Sequence, residues 1–266
     1  MHGQKLPVTI GIVPPRLMSS SDTLAIDVGV FLDLSFRQPC VELIICLREL
    51  HAFQPEEIHQ TRVAIRTLQS YLYAFDDLLK SKHVRGFSTW LREIQQSLTL
   101  IRNLDVFSEL ISTDKVEVVN RQMVVEEITR QRALELSNLS PRLTPELVME
   151  YVHTVEVFAN NLPIKLKFLN MKSRAQYKSL IADVKEVWTT FQAIFESNQI
   201  KSTPRSRHQL RISAKNVRYI YELSQRMGLS EHPKRLLRVT ELQDRLGTEN
   251  DLYNFAKWLR INFPEK

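Results

Sequence analysis

His59-Gln60-Thr61-Arg62-Val63-Ala64-Ile65-Arg66 returns later in the chain as His208-Gln209-Leu210-Arg211-Ile212-Ser213-Ala214-Lys215, an offset of 149 (208 − 59). At about 100° per residue, Arg211, Lys215 and Arg218 lie with His208 inside an arc of roughly 80° of one helix. Arg62 and Arg66 stand in the same relation to His59. Between these stripes fall Val63, Ile65 and Leu68 in one copy, and Leu210, Ile212, Val217 and Ile220 in the other. Those apolar positions seat each helix in a bundle and leave its basic stripe on an edge or lining a cleft.

A second pair of segments repeats with nearly the same separation. Leu98-Thr99-Leu100-Ile101-Arg102-Asn103-Leu104 aligns with Leu246-Gly247-Thr248-Glu249-Asn250-Asp251-Leu252 at an offset of 148 (246 − 98). Two segments sharing one offset indicate an internal duplication. The expected architecture is all-α, with two helical bundles about an approximate twofold axis and the equivalent helices facing a shared cleft. Residues 1–21 read as a loose N-terminal arm. Residues 22–262 form one domain, with halves of about 22–140 and 141–262.

Local signals agree with helices. Only 6 glycines in 266 residues leave little material for hairpins or phosphate-cradling loops. Gln54-Pro55-Glu56-Glu57 opens a helix running to about Lys80, with proline and acids in its first turn. Thr144-Pro145-Glu146 opens another over 144–161, just after the break at Ser140-Pro141. Further helices are expected over 84–101, 103–112, 115–138, 171–198, 204–226, 231–246 and 248–261, with stops at Gly228 and Gly247. Residues 24–34 alternate as a strand would, but a helix capped by Ser21 or Asp22 and kinked near Pro39 is preferred.

Hydrophobic residues make up 43% and charged residues 25%, an ordinary globular balance. No apolar run approaches the roughly 18 residues of a membrane span, and Leu6–Val13 lacks the flanks of a signal peptide. A cytoplasmic protein is expected. Cys40 and Cys46 cannot build a disulfide framework or a metal knuckle and read as small apolar residues. A net charge of +6 and a pI near 9.3 suggest an acidic partner without naming it.

Placement of the charge says more. Cations stacked one turn apart repel by a few tenths of a kcal/mol per pair, and the stripes hold almost no acid to relieve them. A ladder kept twice points to an anion that neutralises it. Beside those cations a histidine is expected to lose its proton easily in the empty protein and regain it when an anion arrives. His59 and His208 lack further ligands for a metal, and none is expected. No Walker loop, HExxH motif or triad spacing is present, so no catalytic residue and no cofactor is assigned.

Four segments together resemble the CHAD domain, the conserved-histidine α-helical domain. They are His59…Arg66, Leu98…Arg102-Asn103-Leu104-Asp105-Val106, His208…Arg218-Tyr219…Glu222-Leu223, and Leu242-Gln243-Asp244-Arg245-Leu246-Gly247…Asn250-Asp251. They keep the family order over about residues 24–262. The resemblance implies two four-helix bundles around a basic central cavity that binds inorganic polyphosphate, and association with polyphosphate granules. Its binding residues would be His59, Arg62, Arg66, Arg102, His208, Arg211, Lys215 and Arg218.

The chain departs from the family at Thr67 and Gln69, where basic residues usually repeat. It also has Asn103 where an aspartate is common and Thr99 where a glycine is common, although Asp105 remains. These changes shift the expected weight of binding toward His208–Arg218. The alternatives are an RNA binder, which would use the same cations with aromatic platforms, and an interaction scaffold with a vestigial cavity.

Overall fold

The computed structural model describes residues 28–76, 79–164, 189, 193, 203–226 and 233–264. The expected arm at 1–21, the helix start at 21–22, the stop at Gly228 and all of the helix 171–198 except residues 189 and 193, which are helical, lie outside the described residues. Eight α-helices are described: α1 (Val28–Glu49), α2 (Pro55–Ala74), α3 (Ser81–Ser97), α4 (Thr99–Ser112), α5 (Arg121–Leu139), α6 (Pro145–Asn160), α7 (Pro204–Arg226) and α8 (Pro233–Asn262). The fold is all-α. Among the described residues the extended pairing is a lone bridge between Leu79 and Ile164.

Two helix starts obey their local chemistry. Pro55 occupies the first turn of α2, and Glu57 reaches back to accept the Gln54 backbone N–H at 3.1 Å. Thr144 accepts the Leu147 N–H at the start of α6. The helix reading of the alternating segment holds where it is described, since α1 continues through the buried Pro39.

Three apolar clusters hold the helices together. The largest joins Phe36, Cys40, Leu43 and Leu47 of α1 to Ile65 and Leu68 of α2, Leu91 of α3 and Val152 and Val155 of α6. Each such fully buried aliphatic side chain contributes roughly 1.5–3 kcal/mol. Phe36 meets Tyr71, Phe75 and Phe158 edge-on, and Phe158 stacks on Phe87 at 3.9 Å between centroids. A second cluster packs α4 and α5 on the end of α8 through Phe107, Ile128, Phe255 and Trp258. A third packs α7 on the start of α8 through Leu210, Val217, Val239, Leu242 and Leu246. These clusters cross the sequence break at Ser140-Pro141, because α6 packs on α1.

Helix boundaries differ from expectation in several places: α2 ends at Ala74 rather than near Lys80, α5 opens at Arg121 rather than at 115, and two further differences matter for the site. The joint between α3 and α4 is Leu98, with Arg102 inside the first turns of α4. The expected stop at Gly247 is absent, since α8 runs for 30 residues through it. A mid-helix glycine costs about 1 kcal/mol relative to alanine. Here Leu242 and Leu246 anchor one side of Gly247, and Phe255 and Trp258 anchor the other. Packing on both flanks outweighs the local preference. No close neighbour demands a glycine there, because an added Cβ would meet nothing within 4 Å.

Candidate functional site

The two copies of the repeated stripe belong to α2 and α7, and those helices pack directly on each other. Ser70 Oγ of α2 donates to Asn216 Oδ1 of α7 at 3.4 Å. Beside this contact lies a cavity of about 1070 Å³ bordered by α2, α4, α7 and α8. Six arginines and lysines line it, together with three acids that all come from α8.

One wall comes from α2 and α4: His59, Arg62, Arg66 and Arg102. Arg62 is fastened there, its Nη1 donating to the Gln95 carbonyl at 2.6 Å and to Thr99 Oγ1 at 2.7 Å. The Gln95 carbonyl belongs to the last turn of α3, where backbone acceptors lack helical partners and the helix dipole favours a cation. Thr99 in turn donates to the same carbonyl. Arg66 Nε donates to the Arg62 carbonyl at 3.3 Å, which lays its head group along the stripe.

Thr67 is buried and its hydroxyl donates to the Val63 carbonyl. It faces the protein interior, so its difference from a basic residue removes no charge from the cavity. This wall carries no carboxylate. Asp105, three residues from Arg102, is buried outside the cavity lining and ion-pairs with Arg132 of α5 at 2.6 Å.

The opposite wall comes from α7 and α8. Arg207, Arg211 and Lys215 line it with Gln243, Asp244, Glu249 and Asp251. Arg211 Nε is buried with no hydrogen-bond partner among the described residues, as is Gln243 Oε1. A buried guanidinium donor left open costs free energy unless something accepts from it. Arg211 therefore carries unused donor capacity beside the cavity.

Burial, and then crowding of like charge, lowers the hold of these groups on their protons. Burial, then Arg66 and Arg211, bring the Lys215 ammonium down to about 7, with Arg62 adding to the effect and Asp251 opposing it. Burial, then Arg66, Arg102 and Arg211, bring Arg62 down to about 10. His59 is also lowered, by burial first and then by Arg102, with Arg66 and Arg62 adding and Glu56 opposing. At His59 the shift runs in the expected direction, with burial ahead of the neighbouring cations. The His208 side chain lies outside the described residues.

Of the sequence-derived residues, His59, Arg62, Arg66, Arg102, Arg211 and Lys215 meet around this one cavity. Arg218 is not part of its lining. Its Nε donates to Glu222 at 2.7 Å, an i,i+4 ion pair of the kind the stripe was expected to lack. The reason is axial. Arg218 lies within about 20° of Arg211 around α7 but about 10 Å further along it. Arg207, one turn before Arg211, takes the place in the cavity, and its spacing of four and eight residues from Arg211 and Lys215 is the signal that identifies it. Asp251 was also legible, as the residue aligned with Asn103 in the second repeated segment.

A family model, the CHAD domain, matches residues 45–260. Among solved structures, the chain is similar to PptA from Streptomyces chartreusis, with a TM-score of 0.66 and 17% identity over 86% of this chain and 84% of that one. It is also similar to the crystal structure of the CHAD domain from the plant Ricinus communis, with a TM-score of 0.54 and 22% identity over 91% and 79% of the two chains. At such identities the likeness speaks to the fold. No curated protein matches. On the family match over most of its length, the chain belongs to the CHAD domain family.

Proposed function

We propose that the cavity binds inorganic polyphosphate and that the protein acts by binding rather than catalysis. One observation carries this reading: cations from α2, α4 and α7 converge on a single cavity. Polyphosphate binding is a known property of the family. A phosphate chain carries about one charge per unit, so cations rising about 5 Å per helical turn meet it repeatedly. Arginine forks match phosphate oxygens, and Lys215 supplies a mobile point charge. Association with polyphosphate granules would follow from this activity. Among the described residues no helix is long and apolar enough to cross a membrane.

A second reading has one observation in its favour. Tyr253 lines the cavity and is 59% exposed, so it offers a surface on which an RNA base can stack. Competition between long-chain polyphosphate and single-stranded RNA of equal charge, at two salt concentrations, separates the two. Polyphosphate is expected to win, with affinity falling steeply as salt releases the counterion advantage. Equal competition by RNA would sink the reading, as would unchanged polyphosphate affinity in a protein carrying R211E and K215E.

A further inference from the structure

Asp251 lines the same cavity as Arg102, Arg211 and Lys215, and among the described residues it is an ion-pair partner of none of them. Burial raises its pKa first of all. The Asn250 hydrogen bond at 3.4 Å and the charges of Arg211, Arg102 and Lys215 then pull it back. Those three cations come from α7 and α4 and line the same cavity, so positive charge of both walls acts on the carboxylate. No ion pair within 4.0 Å is found for it among the described residues. Its charge reaches the same groups that an incoming anion would use, since it supports the protonated forms of Arg211 and Lys215. At the aligned position of the other copy stands Asn103, which also lines the cavity but carries no charge.

We propose that Asp251 is a resident counter-ion of the cavity, a residue that limits affinity by competing with a bound polyanion for Arg211, Lys215 and Arg102. The proposal rests on the cavity being a polyanion site. In the empty protein the carboxylate offsets part of the repulsion among the cations. When an anion enters, the same carboxylate repels it, and the repulsion grows with the number of ligand charges inside. Asp251 therefore loosens long chains more than small phosphates. The duplication supplies its own control, because Asn103 tests the same charge from the opposite wall.

The test uses the full chain with D251N, N103D and the conservative D251E, each checked by helical circular dichroism and melting. Affinities for long-chain polyphosphate and for orthophosphate are measured at pH 6.5. D251N is expected to tighten the long chain threefold or more while moving orthophosphate less. N103D should loosen the long chain, and D251E should resemble the unaltered protein. Weaker or unchanged polyphosphate binding in a folded D251N overturns the proposal, because a residue that merely positions Arg211 and Lys215 would give a loss. A readout without ligand runs alongside: the pH midpoint for acylation of Lys215, followed by mass spectrometry. D251N should lower that midpoint, and an unmoved midpoint counts against the counter-ion. If the midpoint falls but no form binds polyphosphate, the functional reading fails while the counter-ion stands.

Discussion

The two walls of the cavity are built from the same repeated sequence and have come to differ in charge. The α2 and α4 wall presents Arg62, Arg66, Arg102 and His59 with no carboxylate, and Arg62 is held by the end of α3 and by Thr99. The α7 and α8 wall presents Arg207, Arg211 and Lys215 against Asp244, Glu249 and Asp251. From sequence alone the first copy looks the poorer one, for want of basic residues at 67 and 69. In three dimensions it is the more uniformly cationic. Of its departures, Thr67 faces the interior, Gln69 is not part of the cavity lining, Thr99 holds Arg62, and Asn103 removes an acid. What differs is that one wall lines the cavity with cations alone and the other sets acids beside them.

The strongest way to break this comparison is charge reversal on each wall. Polyphosphate affinity should fall at least 100-fold in R66E/R102E, since a charge-assisted phosphate contact is worth roughly 1.5–3 kcal/mol and reversal adds repulsion. R211E/K215E should fall about tenfold less, because acids already offset that wall. Equal losses, measured by titration calorimetry at one salt concentration, would erase the distinction.

A smaller effect sharpens the role of Lys215. Binding an anion restores its proton, so affinity should drop several-fold as pH rises from 6 to 8 through its value of about 7. The depressed value also means that the unfolded chain holds this proton more tightly. Stability of the empty protein should therefore rise with pH between about 7 and the ordinary lysine value of 10.5. K215M should flatten the pH dependence of binding and stabilise the empty protein by about 1–2 kcal/mol. A pH profile left unchanged in K215M would assign the titration to another group, with His59 next in line.

Two quieter substitutions complete the series. T99V removes an acceptor of Arg62 and should cost about 1 kcal/mol of stability, with a two- to threefold loss of affinity read in the same titration. R218A should change affinity less than twofold, because its guanidinium is engaged with Glu222 away from the cavity. A tenfold loss in R218A would restore it to the site.

Much of this was legible in the residues themselves. The proline and acid start at Gln54-Pro55-Glu56-Glu57 and the Thr144-Pro145 cap are local hydrogen-bond chemistry, and they open α2 and α6 where they should. Helical arithmetic grouped His59, Arg62 and Arg66, and Arg211 with Lys215, on single faces. It put Arg218 on the face of Arg211 as well, but about 10 Å further along the axis, outside the cavity lining. It also ended a helix at Gly247, where a preference of about 1 kcal/mol met apolar packing on both flanks.

The sequence by itself determined the helices, the duplicated stripe and the family, because these rest on periodicity and on spacing along one chain. Only the tertiary structure decided which cations face one another, that Thr99 fastens Arg62, and that Asp251 stands among three of them. Those are distances between helices far apart in sequence. Burial then sets the protonation of Lys215 and the cost of the open Arg211 donor, and burial is a property of the packed molecule alone.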